Sequence, residues 1–141
     1  MAKSDGFRKT HQDIKGLVGQ IGQRLNPAQL KNDVNMTREV SRLLANLTGT
    51  LTFHFAMEDK MLYPYMLGVG NGGVADVARK YMAEIGGLAK TYGEFTKKWS
   101  SRETIQTNAD EFCSETRNLF AAMGNRIAKE ESELYPLYDA N

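Results

Sequence analysis

Apolar residues recur at helical spacing along four long stretches of the chain. The first, from about Gly6 to Leu25, carries Phe7, Ile14, Leu17, Val18, Ile21 and Leu25 on one stripe. Ser4 and Asp5 are candidate N-caps, and Asn26-Pro27 ends the stretch, because a residue before proline is pushed out of the helical region. The second runs from about Met36 to Leu62, with Met36, Val40, Leu43, Leu47, Leu51, Phe55 and Leu62 in phase and Asp33 or Asn35 as its cap. Leu67-Gly68-Val69-Gly70-Asn71-Gly72-Gly73 reads as a loop. The third runs from about Val74 to Trp99, with Val77, Tyr81, Ile85, Leu88, Tyr92 and Phe95 on one face. Ser100 and Glu103 have capping-box spacing for a fourth, which extends to about Glu131 with Ile105, Phe112, Leu119, Phe120, Met123 and Ile127 inward. A short tail, Leu134-Tyr135-Pro136-Leu137-Tyr138, follows. Strict alternation is scarce, so the pattern predicts an all-α fold: an up-down antiparallel four-helix bundle, one domain over residues 1–141.

An internal repeat reinforces this. Residues 53–64 and 125–136 align at an offset of 72, with Ala, Glu, Leu, Tyr and Pro identical. The repeat falls at the ends of the second and fourth stretches and points to two similar helix pairs about a pseudo-twofold axis.

Composition narrows the function. Eighteen Lys and Arg against seventeen Asp and Glu leave a formal net charge of +1, unlike the strongly basic domains that bind nucleic acid. No apolar run is long enough to span a bilayer, and the basic N-terminal residues precede none of the kind a secretory signal carries. A single cysteine, Cys113, excludes an internal disulfide and reads as a small buried hydrophobe. The expectation is a cytoplasmic protein with neither a nucleic-acid nor a membrane partner. No phosphate-binding glycine loop or nucleophile motif is present, so no enzymatic role is expected.

The informative residues are polar ones on the apolar stripes. His11 falls in phase with Phe7, Ile14 and Val18. His54 and Glu58, four apart, share the inward face of the second helix, and Arg126 and Glu130 repeat that arrangement on the fourth. A dry core tolerates such groups only if they meet partners, and imidazole with carboxylate suits iron, manganese or zinc.

A histidine early in helix one, followed by His-x-x-x-Glu and Leu-Tyr-Pro on helix two, resembles the hemerythrin family of HHE cation-binding domains. The matching residues are His11, His54, Glu58 and Leu62-Tyr63-Pro64, with Glu130 and Leu134-Tyr135-Pro136 echoing them. The resemblance implies a four-helix bundle holding two non-haem irons and a role in binding or sensing dioxygen, iron or redox signals. This chain departs from that pattern: the helix-four histidine falls on Arg126, and the helix-three histidine falls on Ile85 within Glu84-Ile85-Gly86-Gly87-Leu88.

Metal ligands are therefore expected at His11, His54, Glu58 and Glu130, holding one iron or an asymmetric pair, with manganese or zinc as alternatives. Arg126 and Glu84 stand beside them. Glu58, Glu130 and Arg126 together carry −1, which one divalent ion turns to +1 and a second to +3. A rival reading is metal-free: Arg126 takes a metal's place, forks onto both carboxylates, and leaves an interaction or regulatory module. In the bland readings Arg126 lies on the surface and Glu84 on a solvated face. A third reading, a ferroxidase, needs Glu84 at the site and lacks the second Glu-x-x-His pair of that class. Gly86-Gly87 within a helix points to close approach by another helix, a small cavity or a kink. The methionines read as core.

Overall fold

A computed structural model describes residues 2–70 and 72–141. Among these residues there is no strand. Four long helices form the bundle: α1 (Asp5–Gly22), α3 (Val34–Met57), α5 (Val74–Lys98) and α7 (Ala109–Lys129). Short helices link or extend them: α2 (Pro27–Asn32), α4 (Tyr63–Leu67), α6 (Arg102–Thr107) and α8 (Tyr135–Ala140). α1 packs on α3 and α7, and α5 on α7. The Thr48 and Tyr92 hydroxyls, 2.9 Å apart, tie α3 to α5 and close the ring of four.

Local chemistry sets the boundaries. Pro27 opens α2, and the Asn26 side chain accepts from the Gln29 backbone N–H at 3.1 Å. Asp33 caps α3 by accepting from the amides of Asn35 (2.9 Å) and Met36 (3.3 Å), so Asp33 and not Asn35 is the cap. Gly72 and Gly73, at φ 63° and 74°, make the left-handed turn into α5. Asn71, within the loop expected there, lies outside the described residues.

Several expectations are corrected. α1 ends at Gly22, short of Leu25. Ser4 sits at its N-cap position, but the Ser4 hydroxyl donates to Asp139 in α8 at 2.6 Å and caps nothing. The Ser100/Glu103 capping box does not form: Ser100 donates back to the Lys97 carbonyl at 3.1 Å, and α6 starts one residue later from Ser101. The fourth stretch is broken at Asn108, whose φ −121° and ψ 44° are not helical. The tail is itself a helix, α8. Gly86 and Gly87 are exposed, and a Cβ at either would meet nothing within 4 Å, so neither marks a close approach or a cavity. Met61 is 51% exposed and Met82 38%, so these two methionines are not core.

The repeat appears as structure. α3 and α7 each run into a five-residue π turn, Glu58–Leu62 and Glu130–Leu134, and each turn is followed by a helix with proline in its first turn. One apolar cluster, including Ile14, Leu47, Leu51 and Phe112, fills the end of the bundle nearer the α2 and α6 links. A second, including Phe7, Leu62, Tyr63, Tyr81 and Tyr135, fills the other end.

Candidate metal centre

Between these clusters lie buried polar groups: His11, His54, Glu58 and Glu130 are each at most 2% exposed. α1 supplies His11, the last turn of α3 His54, and the first positions of the two π turns the carboxylates. Within each π turn the first, fifth and following residue all face inward: Glu58, Leu62 and Tyr63 in one, Glu130, Leu134 and Tyr135 in the other. In a regular α-helix a residue five positions on lies about 140° round the axis, so the wider turn is what brings the tyrosine back beside its glutamate.

His11, His54 and Glu130 offer donor atoms that all lie within 4.8 Å of one another. The His11 Nε2 is 3.2 Å from the Glu130 Oε1, and the His54 Nε2 is 3.4 Å from the Glu58 Oε2. All four residues expected from the sequence as ligands thus converge, with Glu58 joined through His54.

The second pair, Arg126 and Glu84, is elsewhere engaged. Arg126 is 12% exposed; its Nη2 pairs with Glu84, and its guanidinium lies 4.9 Å over the Tyr81 ring. The expected fork of Arg126 onto both carboxylates does not form: Glu84, itself 35% exposed, takes the guanidinium instead. Glu84 is therefore a partner of Arg126 and not a member of the donor cluster, and the surface reading of Arg126 is also overturned. Ile85, at the place of the helix-three histidine, is a buried apolar residue.

Two residues not singled out from the sequence enter the site. Glu131 lies 2.9 Å from the His11 Nδ1 and 3.4 Å from the Lys15 ammonium. An Nδ1–H donating to Glu131 leaves the lone pair of Nε2 facing the cluster. Tyr135 places its hydroxyl 3.0 Å from the Glu58 Oε2, 3.1 Å from the His11 Nε2 and 3.4 Å from the His54 Nε2. The conserved spacing within the repeat named Tyr135 but gave no reason to turn it inward. The π turn supplies that reason.

Protonation follows from burial. Burial lowers the pKa of His11, although Glu131 opposes this, so the imidazole is held neutral. Burial, reinforced by the neighbouring Glu58 charge, pushes Glu130 well above the usual carboxylate range. Burial also acts to raise Glu58, but hydrogen bonds with His54, Glu130 and Tyr135 bring it below its ordinary value. Without a cation, these opposite shifts keep the proton on Glu130 and leave Glu58 ionised.

Five buried side-chain atoms have no hydrogen-bond partner among the described residues: His54 Nδ1, Glu58 Oε1, Tyr63 Oη, Arg126 Nη1 and Glu130 Oε2. All belong to this one neighbourhood. A cavity of about 10 Å³ lies among His11, His54, Arg126 and Glu130. Two imidazoles and two carboxylates with spare lone pairs are a fitting donor set for a first-row transition ion.

The family model for the hemerythrin HHE cation-binding domain matches residues 3–138. The chain belongs to the hemerythrin HHE cation-binding family. No curated protein and no solved structure matches it. As a hemerythrin-like bundle, it keeps the histidine and His-x-x-x-Glu of the first half and has an arginine–glutamate pair in the second. No helix of the described residues is long and apolar enough to cross a membrane.

Proposed function

We propose that this protein binds a single non-haem iron ion through His11, His54, Glu58 and Glu130, and that it senses or handles a small molecule without turning it over. The observation that carries this is the convergence of donor atoms from His11, His54 and Glu130, with Glu58 held against His54 and Tyr135 and spare carboxylate oxygens buried in the same neighbourhood. When bound, iron supplies a centre that exchanges one electron and accepts a further small donor. The chain's own residues set its charge: the Glu58 and Glu130 carboxylates balance a divalent ion, because Glu84 cancels Arg126. Imidazole and carboxylate also suit manganese and zinc.

Support for one ion rather than two comes from the second half-site. Arg126, paired with Glu84, has only N–H donors and no lone pair for a metal there, and Ile85 offers no ligand atom. Support for sensing over turnover comes from size, since a cavity of about 10 Å³ admits about one water-sized molecule. An apolar groove of about 270 Å³, bounded by Phe7, Phe53, Met57 and Met61 and reaching His54, offers a route for a small apolar gas such as dioxygen. A cytoplasmic setting fits the lone, buried Cys113.

The metal-free interaction module remains the second reading, favoured by the raised Glu130 pKa, which lets one of the two buried acids stay neutral without a cation. Metal analysis of protein purified without chelators separates the two. The account predicts close to one iron per chain in the wild type and its loss in His54→Ala. The same trace content in both proteins contradicts it.

A further inference from the structure

Tyr135 has no assigned part in a histidine–carboxylate site, yet its hydroxyl lies 3.0 to 3.4 Å from donor atoms of three expected ligands. Donors about 2.1 Å from a common ion lie about 3 Å apart at right angles and about 3.4 Å apart at tetrahedral angles. The phenol oxygen thus has the spacing of a fellow donor. Its repeat partner Tyr63, by contrast, keeps a buried hydroxyl with no partner among the described residues. The two tyrosines occupy equivalent positions after equivalent π turns, but only Tyr135 faces two imidazoles.

We propose, building on the iron-binding reading above, that Tyr135 is a fifth protein ligand and binds the trivalent ion as a phenolate. On ligation the Oη–H bond breaks, the oxygen–metal bond forms and the proton passes to solvent. No electron moves in that step. Two carboxylates and a phenolate carry −3, which matches a trivalent ion at a buried point where Arg126 is already neutralised by Glu84. Tyr135→Phe leaves the trivalent state with an unbalanced positive charge and shifts the potential upward, making the ion easier to reduce.

The test loads wild type, Tyr135→Phe and Tyr63→Phe with ferrous iron under argon. Ferricyanide then takes one electron per iron. The proposal predicts a visible phenolate-to-iron charge-transfer band with tyrosine ring modes in resonance Raman. The band is absent in Tyr135→Phe and retained in Tyr63→Phe. Should Tyr135→Phe fail to fold, wild type and Tyr63→Phe grown on ring-deuterated tyrosine decide: the ring modes of both shift if Tyr135 ligates. Iron bound by the wild type with no such band overturns the proposal and leaves the iron site standing. A wild type that takes up no iron overturns the iron reading, and this proposal with it.

Discussion

His11 shows how a single side chain is prepared for a role. Its Nδ1 is engaged by Glu131, which fixes the ring and directs Nε2 toward Glu130 and Tyr135. Partners of this kind tune metal affinity by about 10- to 100-fold. Glu131→Ala is therefore expected to weaken iron binding by about 10-fold or more in a chelator competition, with the fold intact; unchanged affinity would count against this orientation. Arg126 sits differently. It is largely buried, but its partner Glu84 is one-third exposed and can turn to water when the guanidinium is removed. Arg126→Leu should cost about 1–2 kcal/mol in metal-free urea unfolding, less than the 3–5 kcal/mol or so that follows when a fully buried partner is stranded. A loss of the larger size would mean that Arg126 neutralises Glu58 and Glu130 after all. His11, His54, Glu58 and Glu130 were legible because each falls in phase with an apolar α-helical stripe. Glu131 was not, because a residue beside an inward position is ordinarily solvated, and only the three-dimensional path of α1 brings His11 to it.

At the scale of elements, periodicity identified the four long helices, and the repeat foretold that the ends of α3 and α7 would be alike. It did not foretell the π turns. A stripe read at 3.6 residues per turn carries Leu62 inward from Glu58 and Leu134 from Glu130 but sends the following tyrosine to the flank. The extra width of each turn corrects that and seats Tyr135 in the site. Such turns are frequent at functional sites. Asn108 was equally hard to read, since its break depends on one non-helical residue within an otherwise periodic stretch. Capping was partly legible: Asp33 does cap α3. Asp33→Ala should lower stability by about 1 kcal/mol with no change in iron content. Thermal unfolding and metal analysis of one sample check both halves, and a fall in iron content would show that the cap and the site are coupled.

Across the whole molecule, two apolar clusters enclose one polar layer, and that layer makes stability depend on pH. Burial and the Glu58 charge raise Glu130 above its unfolded value of 4.5. The folded, metal-free chain therefore keeps a proton that the unfolded chain releases. Its contribution to stability is complete below pH 4.5 and is lost as pH rises through the raised folded value. Glu58 runs the other way: its folded value is lowered, so its contribution is present above 4.5 and is lost as pH falls. An ion that takes the place of the Glu130 proton binds better as pH rises. The gain in Tm on adding ferrous iron anaerobically should thus grow as pH rises through the raised Glu130 value. An equal or smaller gain at higher pH would mean that Glu130 does not give up its proton to the ion.

The most direct test of the central claim is an anomalous difference map from a crystal grown with ferrous iron, collected on both sides of the iron absorption edge. The account predicts one iron peak per chain, in contact with His11, His54, Glu58 and Glu130. A map with no peak there, or with a second iron beside Arg126, contradicts it.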